Sequence, residues 1–412
     1  MDARAVERAV LKQIDADEVS SWLRRLVRVP GENPPGEEAA RARALCDLAE
    51  EAGLTHYAWE VEPGRPNVEV HLPGGSGPGA LLLGHTDVVP VGEGWTTDPF
   101  GASMVDGRVY GRGTSDMLGG VAAAVAAMTA LHRADVRLRG PVVLAALMDE
   151  EENGAGVRDW IARGVQAVHQ GGLLGCIVAE PTDLQPIIAA RGACNLDITV
   201  TGLSAHAGNP DDGRNAIAGA AAVVADLQRW HTELRESPAA LVGPATVNVG
   251  AIEGGLGAST VPARCHLRVD RRLLPGEPAR QVMAEVTRRI DALDLPASGL
   301  AVEVTSPMDM PGFATSAETP FVVTVNGALR DAGGPGGEPG GWSAACDGGF
   351  VASAWGLPVM VLGPGSVHEQ AHRPDESVAV AEVVTAARAY ALAALRLVTV
   401  TPETADPGVR VS

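Results

Sequence analysis

Continuous apolar strand segments that alternate with helical segments constrain the fold of this chain more than any other feature. The segments "GALLLGH" (79–85), "GPVVLAALMDE" (140–150) and "LLGCIVAEPTD" (173–183) are largely apolar, and "GGVAAAVAAMTALHRA" (119–134) has the composition of a buried helix. Strands buried on both faces read as such runs, and their alternation with helices is typical of parallel sheets. This part of the sequence therefore predicts an α/β fold, with a mostly parallel sheet covered by helices.

The pattern changes near residue 193, where strand segments begin to alternate between apolar and polar residues. Strand and helix segments follow one another in the order β-α-β-β-α-β, which is the ferredoxin-like arrangement. They are "CNLDITVTGLSAHAG" (194–208), 215–234, 245–255, 264–274, 279–293 and "GLAVEVTSP" (299–307). The α/β pattern then returns, which predicts that an α+β domain at 193–306 is inserted into a larger α/β domain. Residues 1–192 and 307–412 are predicted to form the two parts of that larger domain.

Composition excludes several classes of protein. The chain has 412 residues, which is too long for a single ordinary hydrophobic core and favours two domains. Of these residues 46% are hydrophobic, as in a globular protein rather than a disordered one. A net charge of −19 argues against nucleic acid and anionic membranes as partners. The N-terminal segment lacks the apolar region of a signal peptide, and the 5 cysteines form no CxxC pair, so a reducing cytoplasm is expected. The tail 401–412 is expected to be frayed.

Side chains with metal-binding chemistry follow several of the predicted strands. His85 and Asp87 end one strand, and Glu180 ends another. Asp116 stands in a glycine-rich loop before the Ala-rich helix, where an N-cap is the simplest alternative role. Carboxyl ends of parallel strands meet at one edge of a sheet, which is where α/β proteins bind ligands. These residues are therefore expected to lie together.

Two further clusters complete the set. "LAALMDEEENGAG" places Asp149 and three glutamates after an apolar strand, where a solvated acidic loop is the alternative reading. "LGPGSVHEQAHRPDE" places His368 and His372 four residues apart, so a helical segment would put both on one face. Imidazole and carboxylate groups without thiolates suit zinc, cobalt or manganese. Their number exceeds the need of one catalytic zinc and favours two metal ions bridged by a carboxylate.

Eight motifs along nearly the whole chain give a specific resemblance. The sequence resembles the dinuclear zinc amidohydrolase and peptidase family, which includes aminoacylase-1, acetylornithine deacetylase, succinyl-diaminopimelate desuccinylase and glutamate carboxypeptidase. The motifs occur in the order of the family: "NPPGEE", "GHTDVVP", "DGRVYGRGTSDMLGG", "DEEENGAG", "AEPTD", "GLSAHAGNPDDGRNAI", "DRRLLPGE" and "AHRPDE".

The resemblance implies a ligand set for two divalent metal ions, zinc first and cobalt or manganese as alternatives. His85, Asp116 and Glu180 match the ligands of one ion. Asp116 matches the bridging carboxylate, and Glu151 with His372 completes the second site. His368 is then an extra residue near the entrance to the site. The register of the glutamates stays open, because a shift by one residue fits the spacing nearly as well.

The resemblance also makes the larger domain (1–192 and 307–412) the catalytic zinc domain and the inserted domain (193–306) a lid and dimerisation domain. It further assigns roles to residues outside the ligand set. Glu150 matches the general base, which works with a water molecule that bridges the two zinc ions. Asp87 matches the carboxylate that orients His85. His206 matches the histidine that crosses a dimer interface to stabilise the oxyanion, and Arg272 the arginine that holds a substrate carboxylate. The peptide bond after the bridging aspartate is usually cis in the family.

Three more residues are candidates for substrate binding: Ser259, Asp347 and Gly365. Ser259 departs from the family, which has asparagine in that place, and "GWSAACDGGF" departs from the usual "GGTDA" although Asp347 matches. The expected function is hydrolysis of the amide bond of an N-acyl amino acid in the cytoplasm, by a homodimer formed through the inserted domain. A dipeptidase or carboxypeptidase is the alternative, and an inactive scaffold relative is the second alternative.

Overall fold

The chain divides into two compact units in a computed structural model that describes residues 3–164 and 171–399. Unit 1 consists of Met1–Ile188, Thr315–Gly340 and Ala354–Ser412. Unit 2 consists of Ala189–Ala314 and Gly341–Ser353. The predicted fraying of the tail 401–412 lies outside the described residues, and the predicted domain boundaries and roles stay predictions.

The described residues form helices and strands throughout both units. The helices are α1 (Ala3–Leu11), α2 (Ala16–Val27), α3 (Ala39–Glu51), α4 (Gly119–Arg133), α5 (Ala155–Ala162), α6 (Ala216–Leu234), α7 (Ala279–Asp291), α8 (Pro320–Asp331), α9 (Gly348–Trp355) and α10 (Val380–Thr399). The strands are β1 (Thr55–Glu62), β2 (Arg65–Leu72), β3 (Gly79–His85), β4 (Ser103–Val105), β5 (Arg108–Tyr110), β6 (Val142–Leu147), β7 (Leu173–Val178), β8 (Ile187–Ala190), β9 (Gly192–Thr201), β10 (Thr246–Gly254), β11 (Arg264–Leu273), β12 (Ala301–Met310), β13 (Phe313–Ala314), β14 (Gly340–Trp342), β15 (Val359–Val361) and β16 (Ser377–Ala379).

The large sheet of unit 1 is parallel at its centre. Its strands lie in the order β1-β2-β6-β3-β7-β15-β8. Strands β6, β3, β7 and β15 pair in parallel, whereas β1, β2 and β8 pair with their neighbours in antiparallel fashion. Every residue of β3 and β6 is buried, as their continuous apolar sequences predict. Strand β1 is partly exposed and has no continuous apolar run, so the pattern of buried apolar segments does not predict it.

Helix α4 is the central helix of unit 1. The stretch Thr114–Arg133 is long and apolar enough to cross a membrane by length and composition alone. Its residues from Gly119 to Leu131 are buried, and α4 packs against α10 and α2. A core helix has this composition too, and the packing accounts for its apolar residues.

Unit 2 contains an antiparallel sheet with the strand order β10-β11-β9-β12. Alternate residues of β9, including Leu196, Ile198 and Val200, form a core with residues of α6 and α7. This is the ferredoxin-like order that the alternating segments predicted. The predicted fold class, a largely parallel α/β sheet with an additional α+β unit, is confirmed.

Candidate metal centre

The carboxyl ends of three neighbouring parallel strands bring acidic and histidine side chains to one edge of the unit 1 sheet. His85 is the last residue of β3, and Glu180 lies two residues beyond β7. Glu150 and Glu151 follow β6, which pairs with β3. This convergence follows from the parallel pairing, because parallel strands end on the same side of a sheet.

Among the described residues, two groups of three side chains could hold a metal ion, and within each group the ligand atoms all lie within 4.8 Å of one another. The first group is His85, Asp116 and Glu180, and the second is Asp116, Glu151 and His372. Asp116 belongs to both groups: its Oδ1 lies 3.3 Å from Nε2 of His85, and its Oδ2 lies 3.4 Å from Nε2 of His372. One carboxylate therefore faces two sites, one through each oxygen.

Asp116 is held in place by the buried side chain of Glu376. The backbone N–H groups of Ser115 and Asp116 donate to Oε1 of Glu376 at 2.8 and 3.0 Å. Gly113 N–H and the Arg112 guanidinium donate to its Oε2 at 3.1 and 2.7 Å. Glu376 lies within the "AHRPDE" motif, but the spacing of that motif does not predict this contact, because Asp116 is distant in sequence.

The backbone around Asp116 differs from that of a helix start. Helix α4 begins at Gly119, and Asp116 has non-helical φ and ψ values of −116° and 94°. The alternative role of Asp116 as an N-cap is therefore wrong. The peptide bond from Asp116 to Met117 is cis, as the resemblance implied.

The three glutamates of the acidic loop after β6 differ in their contacts and in their exposure. Glu151 lies in the second ligand group, with Oε2 3.1 Å from Nε2 of His372. Glu150 is buried and places Oε2 3.9 Å from Nε2 of His85, but it belongs to neither group. Glu152 is exposed. The geometry thus favours the register in which Glu151, rather than Glu152, is the metal ligand.

Asp87 approaches His85 through its backbone carbonyl as well as through its carboxylate. Nδ1 of His85 lies 2.9 Å from the backbone carbonyl oxygen of Asp87, and its distance to the carboxylate is 3.5 Å. The carbonyl is the nearer partner, so it fixes the ring more directly than the carboxylate does. The carboxylate accepts the backbone N–H groups of Glu150 and Glu151 at 3.2 and 3.1 Å.

The proton affinities of the site reflect crowded negative charge. Burial and the charge of Asp116 raise the pKa of Glu151 to about 7. Burial likewise raises the pKa of Glu180 well above its usual value. Burial would lower the pKa of His85, but hydrogen bonds with Asp116 and Asp87 and the nearby carboxylate charges together raise it well above its usual value. The carboxylates therefore compete for the available positive charge.

These residues fit a pair of divalent cations. Oε1 of Glu151 is buried and has no hydrogen-bond partner within the part of the chain that the structure describes. A buried carboxylate oxygen without a partner is costly unless a cation meets it. The donor set of imidazole nitrogen and carboxylate oxygen is one that zinc, cobalt and manganese accept.

The two late histidines lie in turns rather than in a helix. Residues 367–375 form turns, and His372 has a positive φ of 63°. His372 joins the second ligand group while its side chain is 54% exposed. His368 is exposed and belongs to neither group. The idea that a helix presents both histidines on one face is therefore wrong.

Unit 2 carries His206, Ser259 and Arg272. His206 is exposed, and the backbone N–H of the next residue, Ala207, donates to the carbonyl of Ser259 at 3.0 Å, so His206 and Ser259 lie on adjoining segments. Arg272 is partly exposed and donates to Asp270 at 3.0 Å. Arg271, by contrast, is buried and paired with Glu277.

The two remaining candidates for substrate binding belong to different units. Asp347 is buried in unit 2 just before α9, and Gly365 is buried in unit 1 with a φ of +86°. A Cβ atom at Gly365 would lie 2.2 Å from Oγ of Ser115, beside Asp116. Gly365 therefore permits a close approach between its own loop and the loop that carries Asp116.

Residues 81–396 match peptidase family M20/M25/M40, and the chain belongs to this family of metal-dependent hydrolases. It is 34% identical over 310 residues to an acetylornithine deacetylase of Edwardsiella ictaluri, which covers 73% of this chain and 76% of that protein. It is 33% identical over 343 residues to an acetylornithine deacetylase of Proteus mirabilis, with 78% and 81% covered.

Solved structures share the fold at low sequence identity. An M20 family metallo-carboxypeptidase from Sulfolobus solfataricus is similar with a TM-score of 0.76 and 19% identity, over 92% of this chain and 99% of that one. Human carnosine dipeptidase 1 gives a TM-score of 0.70 and 16% identity, over 96% and 100%. These likenesses extend over both units.

Replacement of His372 by alanine is expected to lower the metal content of the purified protein, because His372 lies in a ligand group. His368→Ala is the matched control, since it removes an exposed imidazole from the same loop outside both groups. Elemental analysis of the two variants and the unmodified protein checks this expectation. Equal metal content in all three proteins would contradict the assignment of His372.

Proposed function

We propose that this protein hydrolyses the amide bond of an N-acyl amino acid, as a deacetylase or desuccinylase does. The observation that carries the proposal is the buried Glu150 carboxylate, whose Oε2 lies 3.9 Å from Nε2 of the ligand His85 while the residue belongs to neither ligand group. The similarity to acetylornithine deacetylases favours an acyl amino acid as the substrate. A dipeptide or the carboxyl end of a small peptide is the alternative, because such substrates present the same bond.

Two divalent metal ions, zinc before cobalt or manganese, are the proposed cofactors. His85, Asp116 and Glu180 would hold one ion, and Asp116, Glu151 and His372 the other. When bound, such ions act as Lewis acids that polarise the amide carbonyl and make water more acidic. All ligand positions carry residues of suitable chemistry, which argues against an inactive scaffold.

Glu150 is the proposed general base. Its carboxylate takes a proton from the attacking water and then delivers that proton to the departing amide nitrogen. Its side chain can serve in this way because Oε2 lies 3.9 Å from Nε2 of His85 and the residue belongs to neither ligand group. The backbone N–H groups of Glu150 and Glu151 both donate to Asp87, so one carboxylate supports the backbone of the base and of the ligand.

Unit 2 is proposed to act as the lid and dimerisation domain of a cytoplasmic homodimer. His206 of one copy would stabilise the oxyanion at the site of the other copy. Arg272 would hold the substrate carboxylate in a two-point contact. Ser259, Asp347 and Gly365 would line the substrate site and contribute to the choice of acyl group.

A substrate screen tests the proposed reaction. The purified protein with added zinc or cobalt is expected to release free amino acid from at least one N-acetyl, N-succinyl or N-formyl amino acid. Dipeptides form the second arm of the screen, measured at the same enzyme and metal concentrations. Turnover confined to dipeptides would overturn the deacylase proposal in favour of the peptidase alternative. No turnover of acyl amino acids or of dipeptides would contradict both.

Glu150→Gln is expected to lower kcat by about 10²- to 10⁴-fold, the usual contribution of general acid–base catalysis. Metal content should be unchanged, because Glu150 belongs to neither ligand group. Glu152→Gln is the matched control, since it makes the same chemical change at an exposed glutamate of the same loop. The base is wrongly assigned if Glu150→Gln retains full turnover or if the two variants lose it equally.

A further inference from the structure

Asn33 joins two buried carboxylates at the base of the acidic loop. Its Nδ2 donates to Oδ2 of Asp87 and to Oδ1 of Asp149, both at 2.9 Å. All three residues are buried, with exposed fractions of 3% or less. One amide nitrogen thus supplies both of its N–H donors to carboxylates on either side of it.

The same oxygen of Asp87 that accepts from Asn33 also accepts from the backbone of Glu151. Oδ2 of Asp87 lies 2.9 Å from Nδ2 of Asn33 and 3.1 Å from the backbone nitrogen of Glu151. Oδ1 of Asp87 accepts the N–H of Glu150 at 3.2 Å. The position of Asp87 therefore sets the position of both glutamates, and Asn33 contributes to fixing Asp87.

A second chain of contacts anchors the other side of Asn33. Nη2 of Arg65 donates to Oδ1 of Asp149 at 3.0 Å, which is the oxygen that Asn33 also contacts. Arg65 pairs in turn with the fully buried Glu38 at 2.6 Å. Asp149 also accepts the N–H of Ala155 at 3.2 Å. Asp149 is thereby a fixed point against which Asn33 can hold Asp87.

We infer that Asn33 is a positioning residue, which acts through Asp87 on the backbone of Glu150 and Glu151. This inference rests on the proposed function, because it takes Glu151 as a metal ligand and Glu150 as the base. Asn33 is suited to this position since a neutral donor satisfies two carboxylates without adding charge. Groups that support metal ligands in this way typically change metal affinity or activity by about 10- to 100-fold when removed.

The test compares Asn33→Ala and Asn33→Asp with the unmodified protein. Zinc is titrated into metal-free protein by calorimetry, and kcat and KM are measured with the best substrate of the screen. Asn33→Ala is expected to weaken zinc binding at one of two sites by about 10- to 100-fold. It is also expected to lower kcat by about 10- to 100-fold with little change in KM.

Asn33→Asp separates hydrogen bonding from packing. Aspartate has nearly the size of asparagine but replaces both N–H donors with an acceptor and adds a third carboxylate. The inference therefore expects Asn33→Asp to be more harmful to zinc binding than Asn33→Ala. A residue that only fills space would give the opposite order. Asn33→Ser, which restores one donor, is expected to recover part of the loss seen in Asn33→Ala, and it supplies the comparison if Asn33→Asp does not fold.

Asn326→Ala is the matched control. Asn326 is another buried asparagine of unit 1, and its Nδ2 donates to the carbonyl of Gly337 at 2.9 Å. This variant should lose stability without any change in zinc affinity or kcat. The inference is overturned if the Asn33 variants match Asn326→Ala in both measurements, or if both zinc sites weaken equally. Fewer than two zinc sites in the unmodified protein would instead overturn the proposed function.

Discussion

The negative charge buried at the strand ends must be compensated, and the other features of the site follow from this requirement. Asp116, Glu150 and Glu180 are buried together, and Glu151 has a buried oxygen without a partner among the described residues. Burying one uncompensated ion costs several kcal/mol, while a whole domain is stable by only about 5–15 kcal/mol. Two nearby histidines offset part of this charge. Divalent cations can offset the rest, and we propose that they do so.

The sheet and the supporting side chains place these charges accurately. Parallel pairing of β6, β3 and β7 brings the strand ends together, and close side-chain contacts then fix the loops. Glu376 holds the backbone at Asp116, and Asp87 holds the backbone at Glu150 and Glu151. Each of these carboxylates receives backbone N–H donors, so the same hydrogen bonds that satisfy a buried charge also orient the loop.

Much of this arrangement could be predicted from the sequence, and some of it could not. Buried strands such as β3 and β6 are visible as apolar runs, and the motifs identify which side chains follow them. Strand β1 and the turns around His372 carry no such periodicity, since tertiary contacts rather than local patterning determine them. The roles of Asn33 and Glu376 depend on partners distant in sequence, which spacing alone does not reveal.

The number of metal ions per chain is the decisive measurement for this site. Elemental analysis of protein purified without chelator, followed by activity assay before and after chelator treatment, measures that number and its consequence together. We expect about two divalent ions per chain, with loss of hydrolysis on their removal and recovery on adding zinc or cobalt. A fully active protein without metal would contradict this expectation.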